Sequence, residues 1–277
     1  MKTGVMVLAR LPDAESLWWT AAVGFLAAFA VLWAMSLVDP RMLDGASRWA
    51  KPLKFSIATA LHFGTLALVV HYLSGDWQAS RGLLLLAALS IAAAVGEVSY
   101  IAVKAGQLEA SHFNVSTPFH ALMFSLMAMG AVAIVAASGG VGLVALIDGE
   151  ARLAPAVRLA VGIGLIAGTA LTLVTAFRLG VNMSHHVGTE LPGAARMPLT
   201  GWSLSVGDLR PPHCFATHMM QSVPLAGVLA ARVLPSAAAI LAVLVFALLW
   251  SALVWITFQD AIAGRPITAP ITAMFAR

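Results

Sequence analysis

Charged side chains are scarce in this sequence. Only 10% of the 277 residues are Asp, Glu, Lys or Arg, whereas 60% are hydrophobic, and the mean hydropathy is +0.91. A soluble domain carries about 25% charged residues, so this chain has too few charges to cover a surface that faces water. Lipid must therefore cover most of its surface.

Cysteine is almost absent, and basic clusters of the kind that bind nucleic acid are missing. Cys214 is the only cysteine, which excludes an intrachain disulfide and a thiolate metal cage. The net charge is +4 and the pI is near 9.7, but no Lys/Arg-rich run with interleaved aromatic residues occurs. We therefore expect no nucleic-acid partner, and the basic balance is read as a topology signal, because Lys and Arg collect in cytoplasmic loops.

Apolar runs of about 20 residues recur along the chain and predict an all-α, polytopic bundle of about seven transmembrane helices in a single domain, 1–277. The first run follows Asp13 and Glu15 and lacks a small-residue cleavage site, so we expect a retained helix and no signal peptide. The predicted spans are 16–38, 53–74, 82–105, 118–147, 155–178, 212–232 and 235–260.

One connection is unusually long. Residues 179–211 are rich in Gly, Pro, Ser and His, and loops of that length are more often functional than idle. We expect this loop to fold back over a pocket as a lid. The sequence shows no internal repeat.

Seven spans place the two termini on opposite sides of a bacterial inner membrane. The face that carries loops 1, 3, 5 and the C-terminus has ten Lys and Arg residues, against six on the other face. The positive-inside rule then predicts a periplasmic N-terminus and a cytoplasmic C-terminus. Six of the eight histidines lie in or just below the predicted cytoplasmic face: His112, His120, His185, His186, His213 and His218.

Polar groups continue from this face into the membrane. Glu97 lies roughly 12 Å inside the third span and His218 roughly 9 Å inside the sixth, at 1.5 Å per residue. An ionisable residue in a span usually faces the bundle interior and has a partner. We expect Glu97 to pair with His218, His120 or Lys54, which would make the third, fourth and sixth spans neighbours around a polar pocket.

The polar residues of this face are assigned catalytic or substrate-binding roles. Arg210 is expected to bind an anionic group such as a lipid phosphate or carboxylate. The acid/base set is Glu97, His112, Asp208, Arg210, His213 and His218. The substrate-binding set is Lys51, Lys54, Asn114, Trp202, Arg210 and Gln221.

Each role has a structural alternative. Lys51 and Lys54 can be interfacial cations whose stems lie along apolar surface. Glu97 can be a hydrogen-bonding residue between helices, and Asp208 with Arg210 can be a simple salt bridge within the loop.

The histidines also raise the question of a cofactor. A divalent metal bound by His112, His185, His213 and His218, or haem b held by His120 and His218, is compatible with the residue types. The spacing signal is weak, because His213 and His218 point about 140° apart on a regular helix. The i,i+4 histidine pair of an HExxH-like site is also missing.

Three motifs together resemble a family of uncharacterised bacterial multi-pass membrane proteins, over residues 45–225. The resemblance implies a membrane location and these motif positions, and it brings no activity with it. His120 and His186 depart from the family pattern, which has Asp and Thr there, so a metal site built on those two is not implied. The motifs are Trp49-x-Lys51-Pro52-x-Lys54-Phe55, then Ser111-His112-Phe113-Asn114, then Gly201-Trp202-Ser203 followed by Gly207-Asp208-Leu209-Arg210, His213, His218 and Gln221.

Three functional classes stay open. The first is a membrane-embedded enzyme, or a metal- or haem-binding protein, that acts on an apolar or lipid-like substrate. The second is a proton-coupled transporter with Glu97 and His218 as relay residues, although no inverted repeat or second polar cluster near the other face supports it. The third is a non-enzymatic membrane partner or assembly protein. Membrane lipid is the expected partner of the chain, and a homo-oligomer is compatible with all three functional classes.

Overall fold

The computed structural model describes residues 12–43 and 45–267. Within these ranges seven helices are long and apolar enough to cross a membrane, so the predicted all-α transmembrane bundle is confirmed. The spans are α1 (Ala14–Val38), α2 (Ala50–His71), α4 (Arg81–Gln107), α5 (Pro118–Ile147), α6 (Pro155–Asn182), α7 (Arg210–Val233) and α8 (Ser236–Ile262), and α3 (Gly75–Gln78) is a short helix between α2 and α4.

Capping side chains and prolines set several helix starts. Asp13 accepts a hydrogen bond from the Ser16 amide at the start of α1, and Thr117 accepts one from the His120 amide at the start of α5. Pro118 and Pro155 occupy the first helical positions, where a missing N–H costs nothing. The observed ends differ from the predicted ones by up to four residues, the largest difference being the extension of α6 to Asn182.

The helices form two groups that meet at α6. The first buried core is formed mainly by α1, α2, α4 and α5, and the second by α6, α7 and α8. As expected, α4 packs against α5, but the main neighbours of α7 are α6 and α8. The prediction that α7 packs beside α4 is therefore wrong, because α6 supplies the face that covers α5.

Glycines allow α6 and α7 to approach closely. A Cβ on Gly164 would lie 2.7 Å from Cδ of Pro224, and a Cβ on Gly168 would lie 2.7 Å from Cγ of Met220. The two glycines are one turn apart on α6, which is the small-x-x-x-small pattern of close transmembrane helix pairs. Dispersion contacts along this seam hold the second group together.

The long loop between α6 and α7 has its own structure. It covers residues 183–209, where β3 (His186–Val187) pairs antiparallel with β4 (Gly207–Asp208). Gly207 packs directly against the backbone of Ala261 near the end of α8. Loop 1, residues 39–49, contains a second small antiparallel pair, β1 (Met42–Leu43) with β2 (Ala46–Ser47).

Successive spans alternate in direction, so loop 1, loop 3 (residues 108–117) and loop 5 (residues 183–209) share one face. This is the face on which the sequence places most of the histidines. Three of the cations used to predict orientation, Lys2, Arg10 and Arg277, lie outside the described residues.

Candidate functional site

A cavity of about 340 Å³ opens where loops 1, 3 and 5 meet the ends of α2 and α4. Loop 1, the start of α2, loop 3 and the start of loop 5 all contribute lining residues. The last turns of α4 contribute apolar side chains. The lining residues are Leu43, Arg48, Lys51, Pro52, Ile101, Ala105, Glu109, Ala110, Ser111, His112, Phe113, Met183, Ser184, His185 and His186.

Arg48 is a buried cation in the wall of this cavity. It is 2% exposed, and its Nε donates a 2.6 Å hydrogen bond to the carbonyl of Ala105. Its Nη1 lies 3.3 Å from Oδ2 of Asp39, an ion-pair distance, yet makes no hydrogen bond. The Asp39 carboxylate already accepts three hydrogen bonds from Arg41, one of them from its amide, and one from Trp49. Nη1 of Arg48 therefore has an ion-pair contact with Asp39 but no hydrogen bond in the described structure.

His185 provides a second nitrogen of this kind. Its Nδ1 is buried and has no hydrogen-bond partner among the described residues. Its ring packs edge-on against Phe113, with the ring centroids 5.1 Å apart. Burial, and then the charges of Arg210 and Lys51, lower the pKa of His185 to about 3. The imidazole is therefore neutral at physiological pH, and its buried Nδ1 makes no hydrogen bond in the described structure.

The charges around the cavity favour an anion. Lys51, in the first turn of α2, lies with its Nζ 6.0 Å from the centre of the Phe55 ring. Glu109 is the acidic member of the described lining, and its carboxylate is 2.7 Å from the Lys104 ammonium. That hydrogen bond lowers the pKa of Glu109. Arg48 and Lys51 are the Lys and Arg side chains of the described lining, and its one carboxylate, Glu109, is bound by Lys104.

Glu97 pairs with a histidine, but not with one of the predicted partners. Its Oε1 lies 3.6 Å from Nε2 of His112. Lys54 instead donates to the carbonyl of Thr200 at 3.1 Å, and His120 lies 3.0 Å from the Lys104 ammonium. The predicted pairing was therefore wrong.

Loop 3 explains this outcome. Leu108 and Phe113 have left-handed backbone conformations, with φ of 60° and 57°, and the chain between them turns back onto α4. His112 therefore reaches Glu97 from a loop that depth counting along straight helices could not place.

His112 makes a second polar contact on its other nitrogen. The Ser111 hydroxyl lies 3.2 Å from Nδ1 of His112, and the Phe55 ring packs at a centroid distance of 5.8 Å. Burial lowers the pKa of His112, and the nearby Glu97 carboxylate partly opposes this. Ser111, His112 and Glu97 thus form a continuous chain of polar contacts from the cavity wall into α4.

Asp208 and Arg210 form the polar centre of loop 5. The Asp208 side chain is fully buried and accepts hydrogen bonds from the Ser203 amide (2.9 Å) and from the amide, Nε and Nη2 of Arg210 (2.9, 2.9 and 2.6 Å). Burial alone would raise the pKa of Asp208, but the bonds and charge of Arg210 outweigh it and lower the pKa. Arg210 also donates to the carbonyl of Gly201. Its guanidinium is thus engaged in holding the loop. This favours the interpretation of Asp208 and Arg210 as a structural salt bridge within loop 5.

The remaining substrate-binding candidates lie away from the cavity lining. Asn114 closes a turn of loop 3 by accepting from Ser116. Trp202 packs against Phe215 at 5.8 Å between ring centroids. Gln221 lies on α7, and its Oε1 is buried without a hydrogen-bond partner in the described structure.

The predicted metal and haem ligands are dispersed. Residues 12–43 and 45–267 contain no group of three or more His, Cys, Asp and Glu residues that could hold a metal ion. His112 and His185 line the cavity, whereas Nδ1 of His213 lies 3.0 Å from the Thr175 hydroxyl between α7 and α6. His120 and His218 are on α5 and α7, which both pack on α6. Neither the predicted metal site nor the haem pair finds support in this arrangement.

Sequence reasoning missed two residues of the site. Arg48 looks like one more loop cation, and Ser111 looks like a turn residue. Both lie beside or inside the unusual motifs of loops 1 and 3, so motif membership was the signal that could have identified them.

The comparisons with known proteins return no relative. No family model, no curated protein and no solved structure matches this chain.

Proposed function

We propose that this protein binds an amphipathic molecule with an anionic group, a carboxylate or a phosphate, in the cavity between loops 1, 3 and 5. The observation that supports this most directly is a pair of buried nitrogens that make no hydrogen bond in the described structure, on two residues that line one cavity. They are Nη1 of Arg48, which has only the ion-pair contact with Asp39, and Nδ1 of His185. A buried polar group that makes no hydrogen bond costs about 1–3 kcal/mol. An anionic ligand would offset that cost.

The position of the cavity supports a ligand with an apolar part. Pro52, Ile101 and Ala105 line it from helices that span the membrane, and Leu43 and Phe113 add apolar side chains from the loops. The cationic groups lie at the loop end of the same space. A lipid-like molecule meets both requirements, with its charged group at Arg48 and Lys51 and its chain directed toward the helices.

The orientation belongs to the same proposal. The ten-to-six distribution of cations and the positive-inside rule put the cavity on the cytoplasmic side of a bacterial inner membrane. The ligand would then come from the inner leaflet or the cytoplasm.

The test is ligand binding to the purified protein in detergent. Oleate and lysophosphatidic acid represent the two anionic groups with a chain, and acetate and inorganic phosphate represent the same groups without one. We expect saturable binding of an amphiphile and much weaker binding of the free anions. Lys51→Gln removes a contact to a charged group worth about 1.5–3 kcal/mol, so the affinity should fall by roughly tenfold to a hundredfold.

Arg196→Gln is the matched control. Arg196 is an exposed cation of loop 5 that pairs with Glu190 and does not line the cavity, so its replacement should leave binding intact. Equal binding by wild type and Lys51→Gln would contradict the proposal, as would equal loss in the two variants.

A further inference from the structure

We propose that Ser111, His112 and Glu97 form a hydrolytic triad in the wall of this cavity, with Ser111 as nucleophile toward the acyl ester of an anionic lipid. This inference rests on the proposed function, because the cationic wall would hold the anionic group of the lipid. It adds a reaction to what is otherwise a binding site.

The geometry assigns one role to each residue. Nε2 of His112 lies 3.6 Å from Oε1 of Glu97, and Nδ1 of the same ring lies 3.2 Å from Oγ of Ser111. A proton on Nε2 faces the carboxylate, which leaves the lone pair of Nδ1 directed at the serine hydroxyl. This is the nucleophile, base and orienting-group arrangement that activates serine in other folds, with the two ring nitrogens exchanged.

The surroundings fit these roles. Ser111 is 5% exposed and Glu97 is 8% exposed, so both are shielded from bulk water, while Ser111 and His112 line the cavity. Burial keeps His112 neutral by lowering its pKa, and only the neutral ring can accept a proton. Phe55 and Phe113 flank the imidazole and restrict its orientation.

The reaction balances with water as the second reactant. Oγ of Ser111 attacks the ester carbonyl carbon and passes its proton to Nδ1 of His112. The bond from the carbonyl carbon to the alcohol oxygen then breaks, and the leaving alcohol takes that proton. Water attacks the acyl-serine, again giving a proton to His112, and the fatty acid leaves as Ser111 recovers its proton. Glu97 touches only His112 and is a positioning residue.

The chain contains a built-in comparison. Ser184 also precedes a histidine and also lines the cavity, but its hydroxyl accepts from the amide of His186, and Nδ1 of His185 has no partner among the described residues. If a Ser-His dipeptide in the cavity were sufficient, both serines would be reactive. The proposed triad makes only Ser111 reactive, because only His112 has a carboxylate on its second nitrogen.

The experiment is labelling of the purified full-length protein in detergent with a rhodamine-tagged fluorophosphonate, with the modified residue located by peptide mass spectrometry. Wild type and Ser184→Ala should be labelled at Ser111, and Ser111→Ala should not be labelled. His112→Asn should lower the labelling rate by roughly 10²- to 10⁴-fold, the usual contribution of a general base. An unlabelled wild-type protein with its native elution profile, or labelling that persists in Ser111→Ala, overturns the proposal.

Glu97→Gln tests the positioning role. Since Glu97 raises the pKa of His112, the pH midpoint of the labelling rate should move to lower pH in this variant. A slower rate with an unchanged midpoint would show that Glu97 has a structural role only and would remove it from the triad.

Failure of this inference can be separated from failure of the proposed function. Oleate or lysophosphatidic acid binding to Ser111→Ala, without labelling of the wild type, would leave the binding site intact and remove the triad. Labelling at Ser111 without binding of either amphiphile would keep the nucleophile and remove the assignment of the anionic group.

Discussion

Asp208 holds loop 5 in place through one buried carboxylate, and the variant Asp208→Asn tests this directly. The side chain is fully buried and accepts five hydrogen bonds from four donor groups, three of which belong to Arg210. Breaking a buried ion pair costs about 3–5 kcal/mol. The Arg210 side chain is 27% exposed and can regain part of its hydration, so we take the lower end, about 3 kcal/mol.

A cost of this size corresponds to a roughly hundredfold rise in the open population of the loop, because about 1.4 kcal/mol is a factor of ten. Hydrogen–deuterium exchange measured by mass spectrometry, on peptides from residues 183–209, reports that population. We expect rapid exchange in these peptides in Asp208→Asn, with the α1 and α2 peptides unchanged.

The matched control is Asp76→Asn, an exposed carboxylate in the short α3 on the other face. It should leave loop 5 as protected as in the wild type. The reasoning is refuted if Asp208→Asn exchanges at the wild-type rate in loop 5. It is refuted equally if protection falls uniformly in all helices, because Asp208 would then support the whole bundle.

Three further predictions concern pH, packing and topology. The pKa of His185 is lowered from 6.5 to about 3 by burial and by Arg210 and Lys51. When the pH falls below 6.5, His185 therefore binds a proton in the unfolded loop but not in the folded loop. Loop 5 should lose roughly 1.4 kcal/mol of stability per pH unit below about pH 6.5, seen as faster exchange at about pH 5, and His185→Gln should reduce this dependence. Gly168→Leu should lower the thermal midpoint of the detergent-solubilised protein, since overpacking costs about 1–3 kcal/mol. Gly24→Leu should not, because a Cβ added at Gly24 meets no atom within 4 Å. A fluorescent reporter fused at Arg277 should be active in the cytoplasm, and alkaline phosphatase activity there would place the cavity on the periplasmic side.

The fold was predictable because lipid imposes a simple constraint. A backbone inside a bilayer must satisfy its own hydrogen bonds, so each apolar run of about 20 residues becomes a helix whatever its neighbours are. Thr117 with Pro118 placed the start of α5 at the observed residue. The cavity lining was only partly predictable. Three of the predicted site residues, His112, His185 and Lys51, line the cavity, whereas Arg210 is held by Asp208.

The sequence by itself determined the number of spans, their order and the face on which the polar motifs lie, because these depend on local hydrophobicity and on alternation along the chain. Only the tertiary structure decided which polar groups meet. Glu97 contacts His112 and not His218, because loop 3 turns back onto α4 while α7 packs on α6 and α8. Arg48 lines the cavity because loop 1 places it against the end of α4, where the carbonyl of Ala105 accepts its hydrogen bond. Contacts of this kind depend on backbone turns and helix packing between residues distant in sequence, and no periodicity along the chain encodes them.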